Sequence, residues 1–269
     1  MDIDDNPIGQ ILSRRDALKL LGVGSAAFIV SYATPAVANP LIPTSMTGAA
    51  LACVVRPELT IGPYFVDDQR NRSDIRLEPA DGSVKKGIPL TLAIGVFDVA
   101  SNRCAPLEGA QVDIWHCDTQ GHYSGVDAPG FDSTGLKFLR GYQLTDPKGK
   151  AQFRTIYPGW YPGRTVHIHF LIRTIGAEGQ RYEFVSQFFF DDVLTDRVHA
   201  LKPYARKGPR STRNVDDNIY SNGGDQLLLD VTGNGTSGYI ARINIGLDLA
   251  DKKVGVPDSF DRPGGSLPQ

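Results

Sequence analysis

Between Arg164 and Phe170 the chain reads Arg-Thr-Val-His-Ile-His-Phe. Its β-branched and aromatic residues favour extended backbone over helix. In a strand, side chains alternate between faces. His167 and His169 therefore point one way, and Val166, Ile168 and Phe170 the other. The preceding Tyr157-Pro158-Gly159-Trp160-Tyr161-Pro162-Gly163 is rich in turn residues and must present its aromatic side chains at the mouth of that strand. Two imidazoles on one strand face are half of a metal site, but as a lone motif this is a weak signal, and two ring nitrogens satisfied within a half-buried sheet is the blander reading. The motif alone leaves both readings open.

Other short apolar runs repeat the extended pattern. In Pro89–Val99, Leu90, Leu92, Ile94 and Val96 share one face. Further strands are expected over 110–115, 139–145, 151–156, 182–190, 227–231 and 239–249. Asp146-Pro147-Lys148-Gly149 turns a hairpin. One short helix is expected from about Val193 to Lys202, capped by Asp191-Asp192 and stopped by Pro203, with Leu194, Val198 and Leu201 on one face. The polar segment 67–86 reads as a surface loop, 121–137 as a long functional loop, and 206–223 as a polar loop. The fold class is all-β: a β-sandwich of about eight strands with long loops and one short helix.

Residues 1–38 carry Ser13-Arg14-Arg15-Asp16-Ala17-Leu18-Lys19, a short apolar run and Ala36-Val37-Ala38. That order of basic, apolar and small-residue regions is the layout of a cleaved export signal, and the paired arginines resemble a twin-arginine signal. The expected destination is the periplasm or the extracellular space. The apolar run is too short for a lasting membrane span. Residues 39–60 form a Pro-rich lead-in, 61–250 the sandwich domain, and 251–269 a tail. A formal net charge of −2 with scattered cations excludes a nucleic-acid footprint. Of three cysteines, Cys53 and Cys104 lie in expected loops and are candidates to pair after export, whereas Cys117 is expected to be a buried free thiol.

Tyr161 lies on the turn before His167, and Tyr123 closes Trp115-His116-Cys117-Asp118-Thr119-Gln120-Gly121-His122-Tyr123. A free phenol, with a pKa of about 10, is a poor ligand at neutral pH. A trivalent cation removes that cost, and hard phenolate oxygen with imidazole suits iron(III) better than zinc. A zinc hydrolase would also want a Glu or Asp base beside the histidines, and none is there. His116, His122 and His199 read as structural or surface residues, with a place in the shell around the metal as the alternative for His122.

Five segments in order resemble the intradiol ring-cleavage dioxygenases, the catechol and protocatechuate dioxygenases with non-haem iron(III). They are Gly62-Pro63-Tyr64-Phe65, Trp115 with Gly121-His122-Tyr123, Phe153 to Tyr161, Arg164 to His169, and Ser186-Gln187-Phe188-Phe189-Phe190. The resemblance implies that Tyr123, Tyr161, His167 and His169 bind Fe(3+). It implies that Arg164 stabilises the ketonised substrate and that Gln187 lines the pocket, with Ile61, Gly62, Pro63 and Tyr64 in its wall. It further implies O2-dependent cleavage of a catechol-type aromatic diol to a cis,cis-muconate-type diacid. The chain has no room for the helical N-terminal domain of catechol 1,2-dioxygenases, so a protocatechuate-like, sandwich-only form is expected. Protocatechuate enzymes carry a longer insertion after the tyrosine, whereas here only Pro162 and Gly163 separate Tyr161 from Arg164. The shorter loop implies a more open pocket. A non-catalytic binding module on the same scaffold is the competing reading, and association into a homo-oligomer is left open.

Overall fold

The alternation in Pro89–Val99 builds strand β1, Pro89–Asp98, with Leu90, Leu92, Ile94 and Val96 buried on one face. A computed structural model describes residues 54–251 apart from 101–103, 129 and 177. The export-type segment, the C-terminal tail and Cys53 lie outside the described residues. After β1 come β2 (Ala105–Pro106), β3 (Gln111–Trp115), β4 (Asp127–Ala128), β5 (Phe131–Asp132), β6 (Arg140–Leu144) and β7 (Lys150–Ile156). They are followed by β8 (His167–Ile175), β9 (Arg181–Phe189), helix α1 (Asp192–His199), β10 (Asp230–Asn234) and β11 (Gly238–Leu247). Eight of these strands are five residues or longer; β2, β4 and β5 are two-residue pairings that no periodicity could announce.

Two sheets face each other. One runs β10-β11-β1-β2, with β7 also on β1; the other runs β6-β3-β8-β9. Strand β1 pairs parallel with β11 and antiparallel with β7, while the second sheet is antiparallel throughout. Between them lie Leu92, Ile94, Phe153, Ala241 and Ile245 from the first sheet and Val112, Ile114, Ile168, Phe170 and Phe188 from the second. Each fully buried large side chain contributes roughly 1.5–3 kcal/mol of transfer free energy. Phe170 and Phe188 stack with centroids 4.0 Å apart, locking β8 to β9.

Strand β8 is buried on both faces, which explains its nearly unbroken apolar run. Ile168, Phe170 and Ile172 face the sandwich core. His167, His169 and Leu171 face outward, and loops cover them instead of solvent. Ile61, Tyr64, Phe65, Val126 and Tyr161 pack over Trp115, Tyr123, Leu171 and Val185 there. The candidate site thus lies on the outer face of the second sheet.

Two expectations are corrected. Segment 67–86 is not simply a surface loop. Ile75 is fully buried, and its backbone bonds Arg154 and Leu139, so the segment lies along β6 and β7. The helix ends at His199, three residues short of the expected Lys202, and Leu201 is exposed. Thr195, Val198 and His199 form the buried face. Asp191 does cap α1, accepting from the Leu194 N–H at 2.8 Å.

Cys104 is disulfide-bonded and Cys117 is a buried free thiol; Cys53, the expected partner of Cys104, lies outside the described residues.

Candidate metal centre

Strand alternation places His167 and His169 side by side, with their Nε2 atoms 3.1 Å apart. Two loops bring the tyrosines to the same point. Tyr123 Oη is 3.2 Å and Tyr161 Oη 3.3 Å from His167 Nε2. Each side chain is held from behind. The Trp115 ring lies nearly parallel to that of His169, centroids 5.0 Å apart, and Tyr64 stacks on Tyr123 at 4.5 Å. Tyr161 alone of the four is partly exposed, on a turn whose Pro162 and Gly163 face solvent.

The loop bearing Tyr161 is pinned at its start. Tyr157 Oη bonds Thr195 Oγ1 at 2.8 Å, His199 Nε2 donates to the Pro158 carbonyl at 3.0 Å, and Tyr204 Oη donates to the Tyr157 carbonyl at 2.7 Å. The loop bearing Tyr123 is held by buried Arg140, whose Nε donates to Ser124 Oγ at 2.8 Å and whose Nη1 donates to the Tyr64 carbonyl at 3.2 Å. One guanidinium thereby ties the Tyr64 wall to the loop of Tyr123. Burial pushes the Arg140 pKa down to about 10, still far above neutrality.

His167 Nδ1 faces the Thr165 carbonyl at 2.7 Å, so Nδ1 carries the proton and Nε2 a lone pair. Three polar atoms crowd that single lone pair: two phenol oxygens and His169 Nε2. One in-plane lone pair cannot accept all three, and His169 Nδ1 has no hydrogen-bond partner. A cation among the four atoms satisfies them together. Burial, then the charge of Arg164, holds His167 well below the ordinary imidazole range. Burial, then His167 and Arg164, does the same to His169. Both rings are therefore neutral and able to donate to a metal. Burial raises Tyr123 well above the usual phenol range, so it needs a cation to ionise. Among the described residues, no group of three or more His, Cys, Asp or Glu is arranged to hold a metal ion. The donor set is two phenols and two imidazoles, which fits a hard trivalent ion. Burial pushes the nearby Cys117 thiol up to about 12, which leaves it protonated.

Arg164 and Gln187 stand beside this cluster. Arg164 Nη2 donates to Gln187 Oε1, and Gln187 pairs across the sheet with His169. Gln187 Nε2 donates to the Thr60 carbonyl at 3.2 Å, next to Ile61. Tyr64 packs against both tyrosines and Ile61 against the apolar cluster that includes Tyr123, whereas Pro63 is exposed and Gly62 serves the turn with a φ of 71°. His116 is buried and bonds Thr155 Oγ1 at 2.7 Å; His199 is buried as well, so neither is a surface residue. His122 stacks on Phe131 at 4.2 Å. Sequence reasoning passed over Arg140 and also Asp217, which accepts from Arg164 Nε at 2.9 Å. Asp217 sits in the polar 206–223 loop, where no periodicity marks a buried carboxylate.

The dioxygenase family model matches residues 60–197, a little over half of the chain. An intradiol ring-cleavage dioxygenase from Tetranychus urticae shares 29% identity and superposes with a TM-score of 0.64, covering 76% of this chain and 100% of that one. The chain belongs to the intradiol ring-cleavage dioxygenase family. The dioxygenase domain of a dioxygenase–carbohydrate-binding protein fusion from Streptomyces sp. SirexAA-E is 30% identical, with a TM-score of 0.51 over 73% of this chain and 100% of that one. A catechol 1,2-dioxygenase from Acinetobacter baylyi is 33% identical over 132 residues, 46% of this chain but only 40% of that relative's length.

Proposed function

We propose that the chain is a non-haem iron(III) intradiol dioxygenase that cleaves a catechol-type aromatic diol with O2 to a cis,cis-muconate-type diacid. The observation that carries this reading is the convergence of Tyr123, Tyr161 and His169 on the one lone pair of His167 Nε2. These four residues would hold the ion. When bound, ferric iron supplies the Lewis acidity that acidifies the diol and makes its ring reactive toward O2. Both oxygen atoms enter the product, so the balance needs no external reductant.

The chain's own residues do the rest. Tyr161, on the exposed turn, is the donor best placed to move, and its Oη would take a proton from the incoming diol. Ile61 and Tyr64 give the aromatic ring an apolar wall that keeps water out. Arg164, buried beside the cluster, puts positive charge where the ring oxygen becomes a carbonyl, an electrostatic role preset by its fixed partners. Gln187 fills the space between Arg164 and Thr60 without adding charge. An aromatic diol and O2 are the partners this reading requires.

Export by the twin-arginine-like segment to the periplasm or beyond is part of the same proposal, supported by the disulfide at Cys104. The test is iron content together with O2 uptake on catechol, protocatechuate and hydroxyquinol. One O2 consumed per ring, with a muconate-type product, is expected for at least one diol. Iron-loaded protein that binds these diols without consuming O2 would leave the binding-module reading in its place.

A further inference from the structure

Asp217 is a carboxylate with no exposed side-chain surface, 53 residues away in sequence from the arginine it meets. Its Oδ2 accepts from Arg164 Nε at 2.9 Å and from the Thr165 backbone N–H at 2.7 Å. Its Oδ1 accepts from the backbone N–H groups of Ile219 at 2.8 Å and Tyr220 at 2.9 Å. Three backbone donors fix the carboxylate, and the fixed carboxylate fixes the guanidinium. The second hold on Arg164 comes from Gln187 Oε1, which meets Nη2. A guanidinium bonded through both Nε and Nη2 cannot swing about its stem. The same segment grips Thr165 again, where Oγ1 donates to Asn214 Oδ1 at 2.6 Å, while Asn214 Nδ2 donates to the Phe190 carbonyl at 2.9 Å. Thr165 in turn presents the carbonyl that orients His167 through Nδ1 at 2.7 Å.

We propose that Asp217 is a positioning residue for ring cleavage, acting through Arg164, which it aims at the reacting ring. The inference rests on the dioxygenase reading above. It differs from a purely structural staple in what it demands of turnover, and from a charge effect in sign. Removing the carboxylate charge leaves the positive charge of Arg164 uncompensated. If charge alone mattered, ring cleavage would speed up; if aim matters, it slows. Misplacement of such a group by about 1 Å costs on the order of 100-fold in rate.

The experiment compares wild type, Asp217→Asn, Arg164→Ala, the double variant and Arg164→Lys as iron-loaded full-length proteins. Each is assayed for O2 uptake with whichever of catechol, protocatechuate and hydroxyquinol the wild type consumes fastest. The same diol is titrated anaerobically to give its affinity, and iron content is measured. Asp217→Asn should keep its iron and bind the diol within about threefold of wild type, with kcat down about 10- to 100-fold. The double variant should be no slower than Arg164→Ala, because Asp217 acts through that arginine. Arg164→Lys keeps the charge but has no fork to span Asp217 and Gln187, so its loss should approach that of Arg164→Ala. This arm stands even if Asp217→Asn does not fold. Unchanged kcat in Asp217→Asn, losses that multiply in the double variant, or full activity in Arg164→Lys would each overturn the inference. A wild type that consumes no O2 instead overturns the dioxygenase reading itself.

Discussion

The backbone N–H of Gly159 donates to the Asp118 carbonyl at 3.2 Å, and a Cβ on Gly159 would lie only 2.3 Å from that oxygen. Gly121 makes the reverse contact: its Cβ would sit 2.3 Å from the Trp160 carbonyl. The loops that carry Tyr123 and Tyr161 are thus pressed backbone to backbone, with glycine at both crossings. Lys85 braces the junction by a 3.0 Å contact to Asp118.

Gly159→Ala should therefore destabilise the protein by roughly 1–3 kcal/mol and lower its iron content, because backbone must move and Tyr161 moves with it. Gly163→Ala is the control. Its φ is 87° but nothing lies within 4 Å, so only backbone strain of about 1–2 kcal/mol is expected, with iron retained. Chemical denaturation and iron stoichiometry check both; equal iron loss in the two variants would contradict the interlocked-loop account.

His116 supplies a pH prediction separate from the metal residues. Burial pushes its pKa down to about 4, whereas the unfolded chain holds it near 6.5. Between those values the unfolded state binds the extra proton, so the stability tied to neutral His116 is lost as pH falls from about 6.5 to about 4. The stability gap between wild type and His116→Gln should narrow over that window by about 3 kcal/mol. Asp113, raised to about 6 by burial, works in the opposite direction but is common to both proteins and cancels. Urea denaturation at a series of pH values measures the gap; a constant gap refutes the assignment.

Alkylation after denaturation without reductant should label Cys117 and leave Cys104 unlabelled. If Cys53 is the partner, a bridge closing about 50 residues stabilises the fold by roughly 4 kcal/mol on the chain-entropy account. Labelling of all three cysteines would contradict both the pairing and the proposed export to an oxidising compartment.

What could be read in advance follows from periodicity. Leu90 to Val96 and His167-Ile168-His169 obey the strand period, so β1, β8 and the shared histidine face were legible. The cover over that face was not. Ile75 is buried within a polar stretch because its backbone joins β6 and β7, a tertiary fact with no local pattern. Arg140 and Asp217 are charged residues in or beside loops, and nothing in their neighbours says that their partners are Tyr64, Ser124 and Arg164. The tyrosines became site candidates through an ordered set of motifs; geometry then supplied the crowded lone pair that no motif could show.

The central claim is that two phenolates and two imidazoles share one ferric ion, and the visible spectrum of the iron-loaded protein tests it most directly. Phenolate bound to iron(III) gives a broad charge-transfer band, so the protein should be red-brown, and Tyr123→Phe and Tyr161→Phe should each weaken the band. Iron-replete protein that is colourless, or a band indifferent to both substitutions, would contradict the account.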